Sequence, residues 1–376
     1  MPTAPGQPRA RHPRGAIKLN GKIVWGWISW EVDNNNFRSA DTFRVEFALH
    51  GLPSGYGVDW FAAQASLQVE IFATEDWIGS GVYAPTSADR LILGDVDDID
   101  FSFDQSTIGL SGRDLTARLI DTKTSENHQN RTSSDVATLL AQRRGLVPVV
   151  TKTTTRIGQF YSLDHTDINQ QQSEWDLLCR LADFEGFDVF VTGNELHFQP
   201  KPSDTGDRYA IKWVQPSHDD ASPHSSTTTL EFSRSLTIAK GVSVEVRSWN
   251  AKHKKAYTAS WPKAAKGIRP GRAVSSDPNS TTVYHFHVPG LTQDQASARA
   301  QALYKQITAH MVKLTADLPG DGLLTCAKPV IVTGTGTSLD QVYYPDSVKR
   351  SMSMAEGYRM SLSAKNISNE IEAAAG

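Results

Sequence analysis

The amino-acid sequence predicts an α+β protein that is mostly β: two antiparallel β-barrel-like domains with a small α/β domain inserted between them. Three observations predict it. Apolar residues alternate with polar ones through most of residues 16–125 and again through 226–366, the period of a half-buried antiparallel strand. Helical spacing is concentrated between these stretches, in residues 126–206. A chain of 376 residues also exceeds what one ordinary core organises, so more than one domain is expected from size alone.

Residues 1–15 carry Pro2, Pro5, Pro8 and Pro13 among Arg9, Arg11 and Arg14 and read as a flexible basic arm. Folded structure is expected from Ala16. Ile17 and Leu19 lead into the turn Asn20-Gly21, after which Ile23, Trp25 and Trp27 share a strand face, with Ile28 and Trp30 beyond; this is a hairpin. Tryptophans alternating on a strand read first as core or subunit interface, with stacking on a sugar ring as the functional alternative. Phe43, Val45, Phe47 and Leu49 form a second long strand face, and Leu67, Val69 and Ile71 another, before a loop around Trp77.

In the next strand Ile99, Phe101 and Phe103 face one way and Asp98, Asp100, Ser102 and Asp104 the other, an apolar wall backed by an acidic wall. Paired carboxylates suit cation binding or acid–base chemistry. A calcium loop needs a glycine turn, and the run from Asp95 to Asp104 contains no glycine. The plain reading is a solvated strand face; the functional one is a channel or interface face made by Asp98, Asp100 and Asp104. Gly112 is expected to end the following strand and open a short helix with Leu115, Leu119 and Ile120 inward, leaving Arg113 and Asp114 structural roles. A strand returning near residues 207–216, read from Tyr209, Ile211 and Trp213, is expected to complete this first domain.

The inserted domain opens with a helix headed by Ser134, carrying Val136, Leu139 and Leu140 to a stop at Gly145. Its clearest element follows. Ser173 can cap a helix by accepting from the amide of Asp176, whose carboxylate reaches back and complements the positive end of the helix dipole. Trp175, Leu178, Leu181 and Ala182 share one face, and Gly186 supplies the left-handed residue that ends the helix. The period then falls to two, with Phe187, Val189 and Val191 on one strand, a turn at Thr192-Gly193-Asn194, and Leu196 and Phe198 on the next.

The second barrel-like domain, 226–366, follows a linker at 217–228. Its strands are read from Leu230 and Phe232; Val242, Val244 and Val246; Tyr257, Ala259 and Trp261; Tyr284, Phe286 and Val288. A basic loop at 262–272 with Lys263, Lys266, Arg269 and Arg272 reads as solvated. His285 and His287 share a face at metal-capable spacing without an obvious third ligand. Thr292 and Gln295 make a second capping box ahead of Ala296, Ala300, Leu303, Tyr304 and Ile307. Further strands fall at Val312, Leu314 and Ala316, at Val330 and Val332, at Val342 and Tyr344, and at Tyr358, Met360 and Leu362, before a polar tail at 367–376.

With 38 basic against 41 acidic side chains and a net charge of -3, the chain has no global attraction for nucleic acid or an acidic membrane, and specific nucleic-acid binding is not expected. No run approaches the ~18 apolar residues of a membrane span, and no secretory signal opens the chain, so membrane insertion is not expected either. Cys179 and Cys326 are too few for a disulfide scaffold or a cysteine metal site and read as buried free thiols made in a reducing cytoplasm. Neither G-x-S-x-G nor H-E-x-x-H occurs, and no local signature places two carboxylates ~5 to 9.5 Å apart across a cleft as a glycosidase needs. No catalytic residue, metal or cofactor is expected.

Five stretches in order carry a resemblance: I-K-L-N-G-K-I-V-W-G-W from Ile17, L-S-G-R-D-L-T-A-R-L-I-D from Leu110, S-E-W-D-L-L-C-R-L-A-D-F-E-G-F-D-V-F-V from Ser173, G-V-S-V-E-V-R-S-W-N from Gly241, and G-Y-R-M-S-L-S-A-K-N from Gly357. Over most of its length the chain resembles the baseplate hub family of contractile phage tails, which includes the late control protein D group and the Mu-type hub. It is similar also to the N-terminal part of type VI secretion spike proteins. The resemblance implies a non-enzymatic homotrimeric ring that joins a sixfold tail tube to a threefold central spike and lets the genome pass. It further implies contacts with the tape measure protein and baseplate wedge components, and a place in the virion after synthesis in the host bacterial cytoplasm. Nothing after Asn366 has the length of a needle, so the spike is expected to be a separate chain. The competing classes are a tail-associated cell-wall hydrolase, a carbohydrate-binding module using the early tryptophans, and the hub of a phage-tail-like secretion or contractile particle.

Overall fold

The computed structural model describes residues 12–35, 39–76, 82–124, 126, 128, 131–154, 172–200, 207–214, 224–234, 242–250, 254–262, 282–288, 290–308 and 312–366. The basic arm up to residue 11, the loop around Trp77, the basic loop from Lys263 and the tail from residue 367 lie outside them. The described residues are mostly strand, and most of the pairings are antiparallel.

Strands β1 (Arg14–Leu19) and β2 (Lys22–Ile23) meet at Asn20 and Gly21, with φ of 48° and 78°, the two left-handed residues that a type I′ hairpin requires. The strand face expected to continue through Trp25 is broken. Gly26 sits at φ 95°, and a side chain there would lie 2.3 Å from the carbonyl oxygen of Gly51. Trp25 is left 39% exposed, whereas Trp30 is 2% exposed. Next come β3 (Trp27–Asn35), β4 (Thr42–Ala48), α1 (Val58–Ala62), β5 (Gln68–Thr74), β6 (Arg90–Ser102) and β7 (Thr107–Asp114), in the sheet order β3-β4-β7-β6-β5-β1-β2. Ile17, Val45, Phe47, Ile71, Ile108 and Leu110 bury their faces together with Phe61 of α1. Gly112 does not end β7, which runs on to Asp114. A Cβ at Gly112 would lie 2.2 Å from the Asp95 carbonyl oxygen and 2.7 Å from the Phe43 ring, so close approach, not termination, requires the glycine.

The middle of the chain forms α2 (Ala117–Ile120), β8 (Lys123–Thr124), α3 (Ser133–Arg143), β9 (Val147–Val150), β10 (Gln172–Ser173), α4 (Glu174–Glu185), β11 (Phe187–Thr192) and β12 (Glu195–Pro200). The cap of α3 is Thr132 and not Ser134: the Asp135 amide donates to Thr132 Oγ1 at 3.2 Å, and the Thr132 amide to Asp135 Oδ2 at 3.1 Å. Ser134 lies inside the helix, where its hydroxyl accepts from the Thr153 amide. In α4 the expected box is present, with the Asp176 amide donating to Ser173 Oγ at 3.0 Å and Gly186 at φ 71°. Trp175, Leu178 and Leu181 pack with Leu140, Val189, Leu196 and Phe198, and this cluster reaches Leu93 and Leu115.

The remainder supplies β13 (Tyr209–Val214), β14 (His224–Ser225), β15 (Thr229–Arg234), β16 (Val242–Asn250), β17 (Lys255–Trp261), β18 (Thr282–His287), α5 (Gln293–Thr308), β19 (Val312–Pro319), β20 (Val330–Thr333), β21 (Val342–Ser353) and β22 (Gly357–Asn366). The returning strand β13 does not complete the first region. It pairs in parallel with β20, Tyr209 opposite Val330. Its inward side chains Tyr209 and Ile211 are buried among Leu314, Val332, Val348 and Leu362, where the Tyr209 hydroxyl also finds a buried acceptor in Asp321 at 2.7 Å. Helix α5 lays Ala296, Ala300, Leu303 and Tyr304 on Val244 and Val246 of the β17-β16-β18 sheet.

Strand β21 joins the two halves of the sequence. It pairs with β22 along its length, with β20 at Val342 and Tyr343, and with β3 from Ser347 opposite Asn35 to Ser353 opposite Ser29. The register shift between Pro345 and Ser347 falls between those two partners, as bulges do where a strand changes sheet. Among the described residues this makes one 14-stranded sheet. No described helix is long and apolar enough to cross a membrane.

Candidate functional site

The expected acidic wall is part of a wider polar face. Across β6, β7, β4, β3, β21 and β22 one row runs Asp98, Ser111, Arg44, Glu31, Ser351, Arg359, and the next runs Asp100, Gly109, Glu46, Ser29, Ser353, Gly357. The intervening row, Ile99, Leu110, Val45, Trp30, Met352, Tyr358, points the other way into the core, as strand alternation demands. Several charges on or beside this face are matched. Glu31 meets Lys349 at 2.7 Å. Arg113 grips Asp97 at 2.7 and 3.0 Å and Asp121 at 3.0 and 2.8 Å, which holds the Asp121 carboxyl below its ordinary range. Asp98 and Asp100 are exposed and, among the described residues, engaged in no ion pair.

Two details differ from the expectation. The register shifts between Val96 and Asp98, so Asp97 is bulged out of the alternation. Strand β6 ends at Ser102, and residues 103–106 make the turn into β7. Phe103 therefore leaves the apolar wall and is 71% exposed. Asp104 sits at the hairpin tip, where the Ser102 hydroxyl donates to its carboxylate at 2.7 Å and helps hold it below the ordinary range. The structure thus keeps Asp98 and Asp100 on one face and separates Asp104 from them. Arg44, Glu31 and Glu46 complete the face from strands whose pairing the sequence does not announce.

A second polar cluster lies buried where β21 meets β3. Arg350, 4% exposed, donates through Nη1 to Asn34 Oδ1 at 2.8 Å, through Nε to the Asp321 carbonyl at 3.1 Å, and through Nη2 to the Leu324 carbonyl. The Asp321 side chain accepts from the amides of Leu323 and Leu324 as well as from Tyr209. Asn34 Nδ2 and the Asn35 amide donate to Asp41 at 2.8 and 2.7 Å. The Asp114 amide donates to the Asp41 carbonyl at 2.9 Å. The Asp114 side chain accepts from Thr116 Oγ1 at 2.7 Å, while its Oδ1 is buried and meets no donor. Burial raises the Asp41 carboxyl to about 6 against the pull of Asn34 and Asn35. It raises Asp114 to about 8, with the Asp41 charge adding to the effect. The Cys326 thiol, which donates to the Asn34 carbonyl at 3.1 Å, is pushed up to about 12 by burial. Asn34, Asp41, Asp114, Thr116, Cys326 and Arg350 line a cleft of about 540 Å³ bounded also by Ser39, the start of β6, the β11–β12 hairpin and residues 322–327. Sequence reasoning missed this site, assigning Asp114 a structural role only.

His285 and His287 lie exposed on β18. The nearby carboxylate, Glu245 at 3.4 Å from His285 Nδ1, is already engaged by Arg247. Among the described residues no group of three or more His, Cys, Asp or Glu side chains is placed to hold a metal ion.

No protein-family model matches the sequence, and no curated protein matches it. Solved structures do. The tail protein from Neisseria meningitidis MC58 superposes with a TM-score of 0.66 at 14% identity, covering 94% of this chain and 96% of that one. The 43 kDa tail protein of prophage MuSo2 from Shewanella oneidensis gives 0.62 at 17% identity, covering 94% and 98%. The E. coli c3393 protein, described as a type VI secretion component with structural similarity to the T4 tail proteins gp27 and gp5, gives 0.51 at 11% identity, covering 94% of this chain and 77% of that one. The likeness is one of fold, and it runs along nearly the whole chain.

Proposed function

We propose that this chain is a structural protein of a contractile phage tail: the baseplate hub, a homotrimer that joins the tail tube to the central spike and lets the genome pass. The observation that carries this reading is the fold shared end to end with two phage-type tail proteins, together with the five hub-like stretches in family order. The domain division belongs to the same reading: barrel-like domains over 16–125 and 226–366, with 126–206 inserted. Apolar clusters centred on each of the three regions support it, the middle one reaching Leu93, Leu115 and Leu119 of the first region and the first one reaching Tyr358 of the last. Its partners would be two further copies, the tube, the spike, the tape measure protein and wedge components, and its place the virion baseplate. The role is one of assembly and not catalysis.

Genome passage gives the polar face a task. Phosphates are retained where Lys and Arg neutralise them and release counterions, so a lumen that must not hold DNA gains from the unmatched Asp98 and Asp100. Changing both to Lys is expected to slow DNA delivery by assembled particles, more at low salt than at moderate salt. Delivery unchanged at both salts removes the channel role. The hub itself is tested by native mass and negative-stain images of the purified chain, alone and with spike and tube proteins. Three copies in a ring are expected, and a monomer under every condition overturns the reading. The match to c3393 supports a second reading, the hub of a phage-derived secretion device. Particles that assemble around this chain without packaged DNA distinguish it.

A further inference from the structure

The cluster at the β21–β3 seam contains more negative charge than its neighbours balance. Asn34 and Asn35 meet it from β3, where the neighbouring Asp33 charge also acts on Asp41, and Arg350 faces it from β21. Asp321 and Cys326 face it from the segment before β20, and Thr116 from the start of α2. Glu75, Asp89 and Arg90 stand around the cleft, and the β11–β12 hairpin adds only Phe190, Val191, Thr192 and Gly193. The Arg350 charge acts on Asp41, yet its guanidinium donates to Asn34 and to two main-chain carbonyls, not to Asp41 or Asp114. Asp33 has a buried oxygen without a donor, as does Asp114. An ionised carboxylate with a buried, unbonded oxygen beside a second carboxylate is costly. The same oxygen carrying a proton loses that charge and costs less.

We propose that Asp41 and Asp114 form a proton-holding latch between the two halves of the chain: with a proton kept on the pair the seam is closed, and its loss opens the cleft beside residues 322–327. Two observations besides the carboxyls themselves support this. The pair is mechanically connected across the seam, because Asp41 holds Asn34, Asn34 holds Arg350, and Arg350 holds the carbonyls of Asp321 and Leu324. Solvent also already has a route in, through the cleft of about 540 Å³. The latch does not depend on the hub reading.

The sign follows from linkage. Both carboxyls are raised above their unfolded value, so the closed form holds their protons more tightly. The stability they contribute is fully present below the unfolded pKa and is lost as pH rises through about 6 for Asp41 and about 8 for Asp114. Between those values Asp114 is the member of the pair that still gives up a proton on opening, so the opening constant should rise by up to about tenfold per pH unit and level off above about pH 8, until the Cys326 thiol, also raised by burial, begins to titrate.

The test is amide exchange on the full chain, divided by the intrinsic rate, at the amides of Asn35, Leu323 and Leu324, which the cluster holds or adjoins. Exchange should rise between about pH 6 and about pH 8 in the wild type. It should be flat in Asp114→Asn, which keeps the shape and removes the titration, while Asp98→Asn should behave as wild type. A flat wild-type profile overturns the latch whether or not the variant folds, and so does an Asp114→Asn profile as steep as the wild type. Millimolar calcium or magnesium that restores protection at about pH 8 in the wild type but not in Asp114→Asn overturns it too, because a metal ion would then be what the carboxyls hold.

Discussion

Arg350→Ala tests the connection between the two halves. Its guanidinium makes three hydrogen bonds, two buried ones to the carbonyls of Asp321 and Leu324 and a part-buried one to Asn34. At ~1.5 to 3 kcal/mol for each bond to a charged group, the gross contribution is of order 5 to 9 kcal/mol. Burying the cation costs several kcal/mol, which truncation returns. The net loss expected is therefore about 3 to 5 kcal/mol, most of it from acceptors left without donors. Arg350→Met should recover packing but not the acceptors and remain about 2 kcal/mol or more below wild type. The assay is urea unfolding followed by tryptophan fluorescence, with stability read from the midpoint at constant m. A loss below about 1 kcal/mol for the alanine variant, with m unchanged, would refute the reasoning: desolvation would then cancel the bonds, and the β21–β3 ladder alone would hold the seam.

Trp175, 3% exposed in the middle cluster, should cost roughly 3 to 5 kcal/mol on truncation to alanine; a variant melting with the wild type would show that α4 does not anchor that core. Gly112→Ala drives a methyl into the Asp95 carbonyl and the Phe43 ring and should cost ~1 to 3 kcal/mol or more in thermal unfolding. Gly109→Ala, on the same strand but 3.5 Å from its nearest neighbour, the Asp100 Cβ, should stay within about 0.5 kcal/mol.

What was legible in the sequence is what the chain decides locally. The Asn20-Gly21 turn, the Ser173–Asp176 box and Gly186 each need only neighbours within a few residues, and each is where the sequence places it. Alternation was read correctly along β6 but not where it stops, because the partner strand decides where pairing ends, and Thr107 closes it at Ser102. Phe103 and Asp104 keep the pattern of a strand while lying in a turn. Strand β13 was assigned to the wrong half for a related reason: its inward Tyr209 and Ile211 would suit either core, and only its parallel pairing with β20 chooses. The seam was invisible because its members are separated by up to 316 residues, as Asn34 and Arg350 are.

The polar face and the seam are linked through one strand. In β21 the residues Lys349, Ser351 and Ser353 lie on the polar face, paired opposite Asp33, Glu31 and Ser29, while Val348, Arg350 and Met352 point inward. A slip of β21 by one residue would exchange these sets. Arg350 would move to the surface, Ser351 would replace it beneath Asn34, and the carbonyls of Asp321 and Leu324 would lose their donor. Apolar burial alone penalises this slip weakly, since Val348 and Met352 are the only two apolar side chains in that stretch facing inward. A buried guanidinium with fixed acceptors penalises it strongly. Arg350 thus sets the register that carries the polar rows from β3 across to β22, so its charge fixes the geometry of a face to which it does not itself belong.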